Sequence, residues 1–134
     1  MMKVRRGYKY QLAETYSIQT PIVTGKDINT DWYSLSATGV LTLNKGYAWD
    51  GATGVPDWDE VMSPSAEHDA FCQMMRNEEL SYTFWQNQVN QFFKERLIQN
   101  GIWSFRAWYW HRGVEIADCG NPNQGPSNPI FEVP

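Results

Sequence analysis

Gly46-Tyr47-Ala48-Trp49-Asp50-Gly51-Ala52-Thr53-Gly54-Val55-Pro56 and, shortly after it, Ser63-Pro64-Ser65-Ala66-Glu67-His68-Asp69 mark the place where this chain changes character. The first piece reads as a strand end running into a Gly-rich loop. The second reads as a helix start: Ser63 suits an N-cap, Pro64 the first helical position where a missing N–H is harmless, and Glu67 the positive end of the helix dipole. His68 and Asp69 then fall in the second turn. The loop is close enough in sequence to fold back over the helix and gather Asp50, His68 and Asp69 around one pocket. The only other histidine is His111, so any imidazole chemistry uses one of these two.

Upstream of this junction the residues alternate with a period of two. Tyr8, Tyr10 and Leu12 alternate with polar residues, and Tyr16, Ile18 and Thr20 continue the pattern until Pro21 breaks it. Gly25 to Thr30 reads as a turn-rich connection. Trp32 to Leu35 and Val40 to Leu43 are further strands, split by Ala37-Thr38-Gly39, and Asn44-Lys45-Gly46 is a tight turn into a strand over Tyr47 to Trp49. Downstream the period becomes helical. The first helix is expected to reach Asn77 or Glu78. Ser81 caps a second, whose apolar face is Trp85, Val89, Phe92, Phe93, Arg96 and Leu97 and whose end is signalled by Asn100-Gly101. Ser104 is the expected cap of a third, with Phe105, Trp108, Tyr109, Arg112 and Ile116 at helical spacing and Gly120 as its stop. The expected architecture is α+β: a small N-terminal antiparallel sheet followed by about three helices packed on it. One domain over 1–120 and a Pro/Asn/Gly-rich tail over 121–134 complete it.

A chain of 134 residues is long enough for a proper core. Its formal charge of -4 speaks against nucleic acid as a general partner, since phosphate binding needs a basic patch. Lys3, Arg5 and Arg6 read as a solvated end. No apolar run follows them, so they do not read as a secretory signal, and no stretch is long enough for a membrane span. Cys72 and Cys119 are too few for a disulfide framework and fall on different expected elements. They read as free thiols in a chain made in a reducing compartment, with a single bridge as the alternative. Without a Cys-x-x-Cys and with two histidines, a structural zinc site lacks its ligands.

His68 shares a helical stripe with Phe71, Cys72 and Met75, a face that looks inward or into a cleft. Its structural reading is a core histidine with one hydrogen bond to the sheet. Its functional reading is a general base at the floor of a pocket, its ring oriented by a carboxylate. Asp69 points about 100° away around the helix. It does not easily hold the His68 ring but could reach a cation or loop amides, and Asp50 is the better orienting group. Asp57 and Asp59 could add oxygen ligands for calcium or another divalent cation, the alternative to no cofactor at all, although such Asp residues more commonly make Asx-turns. The Asp50–Pro56 loop is not a Walker loop, and there is no Gly-x-Ser-x-Gly elbow. Cys72, one turn beyond His68, reads as packing before it reads as a nucleophile. His111 reads as a partly exposed packing residue, with Arg106 and Arg112 pairing acids across helices.

At Trp49-Asp50-Gly51-Ala52-Thr53, Pro56, Ser63-Pro64-Ser65-Ala66-Glu67-His68-Asp69, Asn100-Gly101-Ile102 and Arg106-Ala107-Trp108-Tyr109 the chain resembles the small phage and prophage proteins grouped as domain of unknown function 1353. The resemblance covers about residues 40 to 120. Thr53 stands where those proteins usually carry Ser, Phe71-Cys72 where they often carry Leu-Tyr, and Asn90 near a common acidic position, which bears on any metal or proton role of that helix. The resemblance implies a phage context near tail or lysis genes and no established activity. The His-Asp pair on a helix also resembles, more loosely, that of secreted phospholipases, where the His activates water and the Asp binds calcium.

Two functions follow as expectations. The first is a phage accessory protein assembling into or onto the virion, above all its tail, made in the host cytoplasm and partnered by other phage proteins or copies of itself. Asp50, His68 and Asp69 would then form a hydrogen-bonded knot. The second is a small, metal-assisted hydrolase acting on host envelope material, with His68 as general base, Asp50 or Asp69 orienting it or binding the cation, and Thr53 with loop amides stabilising developing charge. An inhibitor of a host defence protein is a third class that no residue singles out.

Overall fold

The computed structural model describes residues 4–5, 10–49, 59–118 and 120–122. These fall into two compact units, one holding every described strand and the other the three helices. The order is β1 (Val4–Arg5), β2 (Tyr10–Leu12), β3 (Tyr16–Gln19), β4 (Ile28–Asn29), β5 (Tyr33–Leu35), β6 (Val40–Leu43), β7 (Ala48–Trp49), α1 (Asp59–Arg76), α2 (Tyr82–Gln99) and α3 (Ser104–Ala117). This is the α+β order expected: antiparallel strands first, then three helices.

The strands form two antiparallel sheets, β1-β2-β7 and β3-β6-β5-β4. Period-two alternation sets the register. Leu35 lies opposite Leu41 and Tyr33 opposite Leu43, and all four are buried while Ser34 and Thr42 between them are not. The hairpin between β5 and β6 closes on Gly39 at φ +95, whose carbonyl accepts from the Thr20 amide and hydroxyl, each at 2.8 Å. A Cβ there would stand 2.5 Å from the Thr20 carbonyl oxygen, so glycine is required twice over. Tyr33 meets Tyr47 edge to face and Tyr47 stacks on Trp49, at centroid distances of 6.5 and 6.2 Å. Two strands escape the sequence pattern: β1 lies in the stretch expected to be a solvated end and β4 inside the expected Gly25–Thr30 turn, and two residues each are too few to show alternation.

In the helical unit, α1 begins at Asp59, so Ser63 and Pro64 lie inside the helix and His68 in its third turn. The Ser-Pro start signal is local, and the four residues before it also take helical form. Pro64 has no N–H to donate to the Glu60 carbonyl. That carbonyl accepts instead from the Asn100 side-chain amide of α2 at 2.9 Å. Between α1 and α2, partner numbers run in opposite directions: His68 meets Asn90, Ser63 meets Arg96 and Glu60 meets Asn100. The two helices therefore form an antiparallel αα-hairpin. α2 starts where expected, with the Ser81 hydroxyl accepting from the Phe84 amide. It ends on Gly101 at φ +99, the Gly101 amide donating to Ile98 and the Ile102 amide to Leu97. Ile102 then enters a core of Val61, Phe93, Leu97, Ala107, Trp110 and Val114. α3 starts at Ser104 with Trp103 in the cap position, so Ser104 is its first residue and not its cap. It stops at Asp118 (φ 52), two residues before Gly120. Among its described side chains Ala107, Trp110 and Val114 are buried, while Trp108 and Arg112 of the expected face are exposed; Phe105, Tyr109 and Ile116 of that face lie outside the described side chains. The Tyr82 hydroxyl donates to Asp118 at 2.6 Å and ties the start of α2 to the end of α3.

The strongest polar link between α1 and α2 is an ion pair. Arg96 Nε donates to Glu67 Oε1 at 2.9 Å and its Nη2 to Oε2 at 3.1 Å, a two-pronged fit with Glu67 1% and Arg96 9% exposed. The same guanidinium reaches Ser63 Oγ and Gln99 Oε1. Replacing one partner leaves a buried charge unmatched. We therefore expect Arg96→Met to lower the unfolding free energy by about 3–5 kcal/mol, and the double variant Arg96→Met/Glu67→Leu to recover much of it. Urea unfolding of the three proteins checks both.

Candidate functional site

His68 sits on the buried stripe of α1 with Phe71, Cys72 and Met75, as its spacing requires. The imidazole is 4% exposed. Its Nε2 lies 2.7 Å from Asn90 Oδ1 on α2, so Nε2–H donates and Nδ1 carries the lone pair. The Phe93 ring lies 5.0 Å away, centroid to centroid. The expected hydrogen bond to the sheet is instead a bond to the neighbouring helix. Asn90 stands in α2 beside Val89 and one turn before Phe93, a polar residue in a buried stripe. That placement is the signal that a partner faces it.

Nδ1 meets Cys72 Sγ at 3.6 Å. Cys72 is disulfide-bonded, which corrects the reading of it as a free thiol. A cysteine count distinguishes a framework from its absence but not a single bridge, since two positions far apart in sequence can still meet. The chain's other cysteine, Cys119, lies outside the described residues. A disulfide sulfur has no proton to donate, so the contact at Nδ1 is one of packing. The enclosure has an electrostatic consequence. Burial strips the ring of water and lowers its pKa from 6.5 to about 4, against the opposing pull of the Asn90 bond and with a small further lowering from His111. His68 is therefore neutral at pH 7.

Of Asp50 and Asp69, the other expected members, Asp69 is the one among the described residues. Asp69 is half-buried on α1, a step of about 100° around the helix from His68. Asp50, Thr53 and Asp57 lie outside the described residues, and so does the Gly-rich loop that holds Asp50 and Thr53; of Asp59, only the backbone is described. Among the described residues, no group of three or more His, Cys, Asp or Glu side chains is arranged to hold a metal ion. His111 is half-buried, as expected, its pKa lowered by burial, with Glu115 at 3.7 Å. Arg112 pairs with Glu115 of its own helix at 3.0 Å, not across helices. The Arg106 guanidinium lies 5.8 Å from the Trp110 ring centroid.

What sequence spacing missed is that the residue before His68, Glu67, holds the buried charge. In sequence it reads as a dipole partner for the helix start, yet it lies two turns into α1 and meets Arg96. An arginine on the apolar face of α2 was the available signal, because a buried guanidinium calls for a carboxylate.

The depressed pKa of His68 makes stability depend on pH. The unfolded ring takes a proton near pH 6.5 while the folded ring resists it down to about 4. The contribution is complete above 6.5, falls as pH drops through this window, and is exhausted below it, a loss on the order of 3 kcal/mol. Urea unfolding from pH 7 to pH 4 should show this fall in the parent protein, and His68→Gln should lack it. Parallel pH curves for the two proteins would rule it out. No family model, no curated protein and no solved structure matches this chain.

Proposed function

We propose that the chain is a structural component of a bacteriophage particle, assembling into or onto the virion at its tail, and that the polar cluster around His68 fixes its fold. The observation that carries the structural role is the closure of His68. A general base needs a path to the proton it takes. Here one ring nitrogen is used by Asn90, the other is packed on a disulfide sulfur, and the ring is buried. Catalysis at this imidazole would first require α1 and α2 to part.

Three features support the assembly role. The Asp-Gly-Ala-Thr and Ser-Pro-x-Ala-x-x-His-Asp motifs resemble those of the phage proteins described above. Phe84, Trp103 and Trp108 are exposed on the helical unit, and aromatic side chains of this kind are enriched where proteins dock. A disulfide at Cys72 suits a protein that functions outside a reducing cytoplasm, as a released particle does. The partners on this reading are other virion proteins or further copies of the chain.

Mass spectrometry of purified particles from a phage encoding the chain tests the proposal. The intact chain should be present at a reproducible copy number, and His68→Gln should reduce its incorporation in step with its loss of stability. Its absence from particles that form normally would overturn the assignment.

A further inference from the structure

Where α2 gives way to α3, a cavity of about 440 Å³ is lined by Glu60, Asn100, Gly101, Ile102, Trp103 and Arg106. We infer that this elbow is a binding site for a neutral saccharide, with Trp103 as its stacking platform. The inference stands on the cavity and does not depend on the virion assignment.

The volume lies in the range of small-molecule sites, roughly 300–1,000 Å³. Its walls are built. Gly101 and Ile102 close the end of α2 by their amides, and Ile102 is anchored in the core. Asn100 is held by its bonds to the Glu60 carbonyl and to Ser63 Oγ. A ligand would meet surfaces already in place, which lowers the ordering cost of binding. Trp103 stands at the cap position of α3 without making a side-chain cap bond and is 81% exposed. It is the most exposed large apolar side chain among the described residues, and it borders a cavity to which Glu60, Asn100 and Arg106 bring polar groups and Ile102 an apolar one.

The polar groups decide the ligand class. Glu60 offers a carboxylate that only accepts hydrogen bonds, and Arg106 a guanidinium that only donates them. A phosphate or an acidic peptide would be drawn to Arg106 and repelled by Glu60, and a cation would meet the reverse. A sugar hydroxyl both donates and accepts, so vicinal hydroxyls satisfy both walls at once. The C–H face of a pyranose ring is flat and apolar and fits an indole plane. The net charge of -4 further disfavours an anionic ligand.

The test is a titration of the whole folded chain with cellotriose, maltotriose and triacetylchitotriose, followed through the tryptophan indole N–H signals and backbone amides. At least one sugar should give a saturable shift confined to Trp103 and residues 100–106. Trp103→Ala should weaken binding by about tenfold or more, and Trp103→Phe should recover part of it. Glu60→Gln and Arg106→Ala should each weaken it too. Since Trp103 is exposed, its replacement should leave the thermal melt unchanged, which separates lost binding from lost fold. No saturable shift with any of the three sugars would overturn the inference. So would a shift that survives Trp103→Ala, or a response to inorganic phosphate in place of sugar.

Discussion

The fork between Arg96 and Glu67 is the constraint on which the helical unit depends. Two charges removed from water are tolerated only when each fully meets the other and the remaining donors find acceptors. The guanidinium does this by reaching Ser63, Gln99 and Glu67 together. Sliding α2 by one turn, about 5.4 Å, would strand both charges in an apolar interface. Hydrophobic side chains alone tolerate such slips far better, because a leucine packs acceptably against many neighbours. The ion pair therefore acts on which alignment is adopted more than on how strongly the helices adhere.

The other polar contacts of this interface follow from that alignment. With α1 and α2 antiparallel and Glu67 held opposite Arg96, His68 meets Asn90 and the Glu60 carbonyl meets Asn100. Each contact answers a specific deficit. Asn90 gives a buried imidazole its acceptor, and Asn100 supplies the donor that Pro64 lacks. A proline this far inside a helix ordinarily leaves an orphaned carbonyl. Here the orphan becomes a docking point for the next helix, so the defect in α1 helps to place the end of α2.

Much of this was legible in the residues. Alternation located β2, β3, β5, β6 and β7, and the Ser81 and Asn100-Gly101 signals bounded α2, because these features are set by neighbours in sequence. What escaped was set by distant ones. Ser63-Pro64 has the local chemistry of a helix start, but a carbonyl freed by proline is acceptable inside a helix if a side chain far along the chain covers it. Trp108 misleads about the inward face of α3, since it is large and apolar yet exposed, while small Ala107 is buried with Trp110 and Val114. The Glu67–Arg96 and His68–Asn90 pairs each join residues more than twenty positions apart. A polar residue within an apolar stripe announces that a partner exists without saying where it is. The same holds for Cys72, whose count-based reading gave a thiol.

These placements separate two kinds of polar residue that look alike in sequence. Glu67, His68, Asn90 and Arg96 are buried and matched to one another, and their chemistry is spent inside the protein. An imidazole whose pKa burial lowers to about 4 is neutral at pH 7 but a weak base, and with both nitrogens closed it has no substrate-facing edge. Glu60, Trp103 and Arg106 are exposed and border an open cavity on an elbow that the inner set holds in place. The link between the sets is Asn100, which touches the Arg96 cluster on one side and the cavity on the other. Burial makes a group precise and inaccessible, whereas exposure makes it available and, without support, imprecise. Recognition at this elbow combines the two, since its outward groups stand on a turn whose geometry the buried ion pair has already decided.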